Sequence, residues 1–333
     1  MSEPRLDLTA SPHIKGPDST PRIMWSVVAS LVPVIGAATW LFGPSALLVL
    51  FASSAGAVAT ERLFGARNSL GDGSAAITGL LLGLTLPAGF PMWMAFVGGA
   101  FGIGFGKLIF GGLGQNVFNP ALVGRAFLQA AFPTAITTWP AAGQAWGALR
   151  GGNFALPFMS AGVDAVTEAT PLNLMKFDHQ PTELLRLALG NTGGSLGETS
   201  AVLILLGGLF LASRRYLNWR VPASILASVA VFAGALWSID PARYPSPLFM
   251  LLSGGLMLGA IYMATDMVTS PTTNRGAWIF GTGIGLLVVL IRVWGGLPEG
   301  VMYAILLMNA LVPFIDRATQ PRVFGTRTAK AAG

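Results

Sequence analysis

Cysteine is absent from the 333 residues. Disulfides, cysteine-ligated iron–sulfur clusters and thiol catalysis within this chain are therefore excluded. Histidine is nearly absent. His13 and His179 lie in different polar segments, which argues against a shared metal site or a bis-histidine haem. Charge is scarce as well. Asp, Glu, Lys and Arg make up 10% of the chain, against roughly 25% in an average soluble domain. Apolar residues take their place: hydrophobic residues reach 53% and the mean hydropathy is +0.65. Glycine contributes 43 residues, about twice ordinary usage. Small residues of this kind let membrane helices approach closely. The first 22 residues are polar and lack an apolar core, so no cleavable signal peptide is expected ahead of the first span.

This composition predicts an all-α integral membrane protein. About ten hydrophobic spans fall at 23–42, 45–60, 74–86, 91–110, 117–132, 199–212, 221–237, 247–264, 277–293 and 301–314. Several approach the ~20 residues needed to cross a hydrocarbon core of roughly 30 Å. The spans at 74–86, 117–132 and 199–212 are short. They are expected to be broken or tilted helices, which membranes tolerate only where protein or a cavity surrounds them. The chain thus divides into a polar N-terminal segment (1–22), a first membrane repeat (23–132), a polar segment (133–198), a second membrane repeat (199–315) and a tail (316–333). The segment 133–198 holds Asp164, Glu168, Asp178, Glu183 and Glu198, five of the 14 acids. It is too polar to span, and a connection of this length is usually functional.

Lysine and arginine set the orientation. With the N-terminus in the cytoplasm, Arg5, Lys15, Arg22, Arg62, Arg67, Arg214, Arg215, Arg220, Arg275, Arg317, Arg322, Arg327 and Lys330 fall inside. Arg150, Lys176, Arg186 and Arg243 fall outside. The net charge of +6 therefore reads as membrane orientation, not as nucleic-acid binding. Both termini are expected inside and 133–198 outside. The chain also echoes itself. Gly79-Leu80-Leu81-Leu82-Gly83 resembles Gly255-Leu256-Met257-Leu258-Gly259, and 108–113 (LIFGGL) resembles 292–297 (RVWGGL). In this topology the first copy begins inside and the second outside. The expectation is a five-plus-five inverted repeat, a plan that places sites near the bilayer midplane. The alternative is that glycine-rich apolar stretches resemble one another by composition.

Three polar constellations interrupt the apolar pattern. The first is Asp164-Ala165-Val166-Thr167-Glu168-Ala169-Thr170-Pro171. Thr170 reads as a helix N-cap and Pro171 as the first helical residue. A phosphate ester on the Thr170 hydroxyl would face unpaired N–H groups at the positive end of that helix. The pattern Asp-x-x-Thr-x-Ala-Thr resembles the flavinylation motif, in which FMN is joined through its phosphate to the last threonine. Asp164, Thr167 and Ala169 are the other motif positions. The alternative is an ordinary cap in an exposed loop. The second constellation is 111–120 (GGLGQNVFNP). Asn116 and Asn119, three residues apart, are expected on one helical face. Their amides would either hydrogen-bond a flavin ring or tie broken helix ends together, because amides at that depth need partners. The third is 263–274. Asp266 follows a span with no basic residue within eight positions, which makes it an ion-path candidate. Glu61, at the end of the second span, is another. Helix capping or turn satisfaction is the alternative for both.

Taken together, 72–82 (DGSAAITGLLL), 111–120, the Thr170 motif and 263–266 (MATD) resemble the D-type subunits of the Rnf complex, an ion-translocating ferredoxin:NAD oxidoreductase. The B-type subunits of sodium-translocating NADH:quinone reductases are similar, but have a longer N-terminal extension. The likeness runs from about Ser11 to Asp316. Glu168 departs from it, since the family usually carries glycine there. The resemblance implies covalent FMN on Thr170, attached by a flavin transferase that uses FAD, and a noncovalent flavin, riboflavin, within the membrane. It implies A-, B-, C-, E- and G-type Rnf subunits as partners, and residence in a bacterial inner membrane with Thr170 in the periplasm. From the residues alone, two other functions stay open. One is a channel or transporter for a small polar solute. The other is a membrane anchor that carries no cofactor.

Overall fold

The computed structural model describes residues 18–66, 69–143, 147, 149–157, 168–198, 200–241 and 243–321. Regular structure among them is helical, apart from one isolated bridge between Pro87 and Ser195. In chain order the first half contains α1 (Thr20–Phe42), α2 (Pro44–Phe64), α3 (Ser74–Leu84), α4 (Met92–Gly106) and α5 (Pro120–Ala131). Three short helices follow: α6 (Pro133–Ile136), α7 (Pro171–Phe177) and α8 (Leu184–Leu189). The second half contains α9 (Ala201–Ser213), α10 (Arg220–Ile239), α11 (Pro247–Leu252), α12 (Leu256–Leu258), α13 (Asn274–Trp294) and α14 (Val301–Thr319). Among the described residues, six helices are long and apolar enough to cross a membrane: α1, α2, α4 with its extension to Phe110, α10, α13 and α14.

The two halves repeat one packing plan. In the first, α2 packs on α4 and α4 on α5; in the second, α10 packs on α13 and α13 on α14. Both central contacts depend on missing side chains. A Cβ on Gly99 of α4 would collide with the Ser53 carbonyl oxygen of α2. A Cβ on Gly285 of α13 would collide with the Ser228 hydroxyl of α10. The echoed sequences fall on matching places: one pair within α3 and at α12, the other just after α4 and at the end of α13. Gly99→Ala is expected to cost about 1–3 kcal/mol through overpacking. It should lower the thermal midpoint of the detergent-purified chain; an unchanged midpoint would mean that α2 and α4 separate freely.

Two sequence expectations are corrected. The span 247–264 is not one helix. It breaks between α11 and α12, where Gly254 has φ 65°, a left-handed conformation open to glycine without steric cost. It then continues as α12 and a π-helical turn, Gly259–Met263. Nor do Asn116 and Asn119 share a helical face. Helix α5 starts only at Pro120, with Asn119 as its cap, and Asn116 lies in the loop before it.

The polar segment between the halves is tied to one end of the bundle. The Leu196 N–H donates to the Leu86 carbonyl at 3.0 Å, just beyond α3. The buried Arg150 donates to the carbonyls of Leu41 and Ala141. Thr170 therefore belongs to the end where α1 and α3 finish, and Asp266 to the opposite end.

Candidate functional site

Two cavities enter the bundle from these ends. The cavity at the Thr170 end encloses about 1040 Å³, including its open mouth. Its wall includes Thr85, Arg125, Gln129, Trp139, Thr170, Glu198, Glu299 and Tyr303. The cavity at the Asp266 end spans about 840 Å³, likewise including its open mouth. Lys107, Asn116, Asn119, Tyr216, Tyr262 and Asp266 line it. Neighbouring residues face opposite cavities. On α5, Ala121 lines the Asp266 side and Leu122 the Thr170 side; on the π-helical turn, Tyr262 and Met263 do the same. The start of α5 and the π-helical turn form the partition between them.

Thr170 is buried at 7% exposure. It caps α7, its hydroxyl accepting the Asn173 N–H at 3.3 Å while Pro171 occupies the first helical position. Cap and proline thus stand as the Thr-Pro pair predicts, and the hydroxyl lies at the cavity wall. Ala169 and Glu168 are exposed. The Glu168 N–H donates to the Trp139 carbonyl at 2.9 Å, and its carboxylate lies over Gly193, away from the Thr170 cavity wall. Asp164 and Thr167 lie outside the described residues.

At the other end, Asn119 is engaged through both its amide atoms. Its amide oxygen accepts the N–H groups of Ala121 and Leu122 at 3.0 and 3.3 Å, and its amide nitrogen donates to the Met263 carbonyl at 3.1 Å. It ties the start of α5 to the π-helical turn and so holds the partition in place. Asn116 donates to the Phe118 carbonyl at 3.3 Å and to Asp266 at 3.4 Å. Its amide oxygen accepts no hydrogen bond from the described residues. It is the better placed of the two to meet a ligand. Asp266 accepts the Val268 N–H at 3.2 Å. Burial raises its carboxyl above the ordinary carboxylate range, opposed by hydrogen bonds from Val268, Thr269 and Asn116.

Glu61 is fully buried and paired with Lys107 at 2.5 Å. Lys107 also donates to the Ser74 hydroxyl at 2.6 Å, which in turn donates to Asp72 at 2.5 Å. One oxygen of Glu61 has no partner among the described residues. Sequence reasoning did not weigh Lys107, Arg125, Arg292, Glu198 or Glu299 as site residues. The available signal was a basic residue inside an apolar span, which needs a partner in a membrane. The partners themselves lie far away in the chain.

The sequence profile of the NQR2, RnfD, RnfE family matches residues 7–325. The chain belongs to that family. The D-type subunit of the proton-translocating ferredoxin:NAD(+) oxidoreductase complex of Clostridium ljungdahlii is 41% identical over 334 residues, covering 96% of each chain. Its counterpart in the ion-translocating oxidoreductase complex of Pseudomonas paraeruginosa is 42% identical, covering 98% of this chain and 97% of its own. The corresponding D-type chain of the Na(+)-translocating ferredoxin:NAD(+) oxidoreductase complex of Acetobacterium woodii is 38% identical, covering 99% and 98%. The family likeness thus spans both membrane halves and the polar segment between them, so both cavities lie within the matched region.

Proposed function

We propose that this chain is the D-type membrane subunit of an ion-translocating ferredoxin:NAD oxidoreductase. In this reading it carries FMN on Thr170 and riboflavin in the Asp266 cavity, and electrons pass between them. The observation that supports this most is the pair of cavities back to back, with Thr170 in one wall and the start of α5 and the π-helical turn between them. The Thr170 cavity suits the group. Arg125 in its wall and the α7 cap offer positive charge and free N–H groups to a phosphate ester, and Trp139 and Tyr303 offer flat apolar surface to a ring. Flavin supplies one- and two-electron chemistry when bound; the chain's part is to fix its position and exclude water from the partition.

The other subunits of such a complex, A-, B-, C-, E- and G-type, are the proposed partners, with a flavin transferase for maturation. Glu61 and Asp266 are the proposed ion-path groups. The multi-span chain lies, in this reading, in a bacterial inner membrane with both termini cytoplasmic and Thr170 periplasmic. Cysteine placed at Leu185, which is 69% exposed, is expected to label in intact cells. Cysteine at Ala318 is expected to label only after permeabilisation. The reverse pattern would put Thr170 beyond a periplasmic transferase.

The two-flavin reading is tested by extraction. Asn116→Leu is expected to remove most noncovalent flavin and leave covalent flavin unchanged. The single change is the right one, because Asn119 caps α5 and its loss would cost ~1 kcal/mol of helix stability besides opening the partition. Full retention of extractable flavin in folded Asn116→Leu would return Asn116 to a structural role. Absence of any flavin from the parent chain would favour the solute transporter instead.

A further inference from the structure

A third cavity opens at the Thr170 end, between α7, the start of α11 and the end of α13. It spans about 810 Å³, including its open mouth. Its wall carries Lys176, His179, Arg243 and Arg292, and no Asp or Glu is among the described residues that line it. Tyr244 and Trp294 give it an aromatic face.

Helix ends hold two of the basic groups. Lys176 donates to the carbonyls of Ile291 at 3.3 Å, of Leu297 at 3.0 Å and of Gly295, where α13 finishes. The buried Arg292 donates to the Met250 carbonyl at 2.6 Å and the Ser253 carbonyl at 3.0 Å, where α11 finishes. Basic side chains suit helix C-termini, so capping accounts for these bonds. It does not account for the charge, because a carbonyl is a dipole with no net charge. Glu299 approaches Arg292 at 3.7 Å, but it lines the Thr170 cavity and not this one. The Arg292 Nε has no partner among the described residues. Lys176 and Arg243 have no carboxylate within ion-pair distance among the described residues. Burial lowers the proton affinity of Lys176, a cost that an adjacent anion relieves. Arg243 is exposed. Asp240 accepts its backbone N–H at 3.3 Å, and its guanidinium lies 5.6 Å from the centre of the Tyr244 ring, which meets Trp294 at 6.3 Å.

The surroundings are those of a membrane boundary. Spanning helices α10 and α13 run parallel, with Ser224 against Gly281 and Ser228 against Gly285, so both finish at this end. Trp237 and Ile239 at the end of α10, Leu248 in α11 and Trp294 at the end of α13 are all exposed. Tryptophan at the end of a spanning helix marks the headgroup level. A ligand that suits both features has a negative charge joined to apolar chains.

We propose that this cavity binds the phosphate of an anionic phospholipid, whose acyl chains lie along the exposed apolar residues beside it. Basic pockets between membrane helices take lipid headgroups, and an arginine fork matches phosphate with two parallel N–H bonds. The bound phosphate lies among Lys176, Arg243 and Arg292, and so joins α7, which Thr170 caps, to α11 and α13. The site stands apart from the FMN reading.

The test follows the thermal midpoint of the full-length chain in an uncharged detergent as lipid is added. Phosphatidylglycerol is expected to raise the midpoint, and phosphatidylcholine, whose headgroup is neutral overall, to leave it nearly unchanged. Arg243→Gln should fold, because the side chain is exposed, and should weaken phosphatidylglycerol binding about tenfold through loss of a charge-assisted contact. Lys176→Gln should weaken it as well, but also uncaps α13, so Arg243→Gln is the deciding variant. Arg214→Gln removes an exposed arginine at the opposite end and should respond as the parent does. Native mass spectrometry should find phosphatidylglycerol retained by the parent and by Arg214→Gln, and lost from Arg243→Gln. An equal response to both lipids, or unchanged phosphatidylglycerol binding in Arg243→Gln, overturns the proposal. So does a midpoint raised as far by inorganic phosphate, which makes this a site for free phosphate. A midpoint raised by a polyglutamate peptide and not by phosphatidylglycerol overturns it too, and assigns the cavity to an acidic segment of another chain.

Discussion

Thr170→Val is expected to abolish in-gel flavin fluorescence of the denatured chain when it is co-expressed with a flavin transferase. Valine matches threonine in shape and removes only the hydroxyl. The cap that this hydroxyl makes is weak, a 3.3 Å bond to the Asn173 N–H, so about 1 kcal/mol of stability is at stake. The chain should therefore fold and carry no covalent flavin, an all-or-none readout. Thr137 provides the control. It shares the cavity, and its hydroxyl is spent on the Pro133 carbonyl at 2.8 Å. Thr137→Val should fluoresce as brightly as the parent, and Thr167→Val should retain signal. Fluorescence that survives in Thr170→Val moves the attachment elsewhere and removes the central element of the proposed function.

Lys107→Met should be the most destabilising of the single changes considered. Lys107 and Glu61 are each nearly or wholly buried. Taking away one partner strands the other charge, a loss of about 3–5 kcal/mol for a buried pair. Expression and thermal midpoint should both fall sharply. Glu61→Leu combined with Lys107→Met should recover much of the loss, because an apolar replacement of both partners is often close to neutral. The double variant also separates folding from transport. If Glu61 lies on the ion route, it should assemble and transfer electrons but generate less membrane potential in vesicles than the parent complex. Normal transport in a well-folded double variant would make the pair a structural tie and leave Asp266 as the remaining candidate in this chain.

The long helices are legible because hydropathy integrates over many residues. The expected span 23–42 meets Thr20–Phe42, 221–237 meets Arg220–Ile239, and 277–293 meets Asn274–Trp294. The break inside 247–264 is hidden for the same reason. Ser253, Gly254 and Gly255 barely lower the local hydropathy, yet a single left-handed glycine ends α11. The Thr170 cap is legible because capping is local, and Thr-Pro states it within two residues. Asn119 is harder to place because its partner, Met263, is contributed by the other half of the chain. The ionisable pairs are beyond reach for a similar reason. Glu198 and Glu299 reach one cavity wall, and Lys107 meets Glu61, only after distant segments have packed. Sequence marks such residues as costly in a membrane without saying what compensates them.

The partition built on the start of α5 and the π-helical turn has an electrical consequence. Where solvent-open cavities enter a membrane protein from both faces, the low-dielectric part of the path shrinks to what lies between them. The transmembrane voltage then drops mainly across that partition instead of across the full ~30 Å of hydrocarbon. An electron that moved from one cavity to the other would travel a short distance and still cross nearly the whole voltage, worth about 2.3 kcal/mol per 100 mV. Electron transfer inside this one chain would by itself charge the membrane, and a membrane already charged would push back on it. The rate between the two cavities should therefore respond to applied voltage almost as steeply as a charge carried through the entire bilayer.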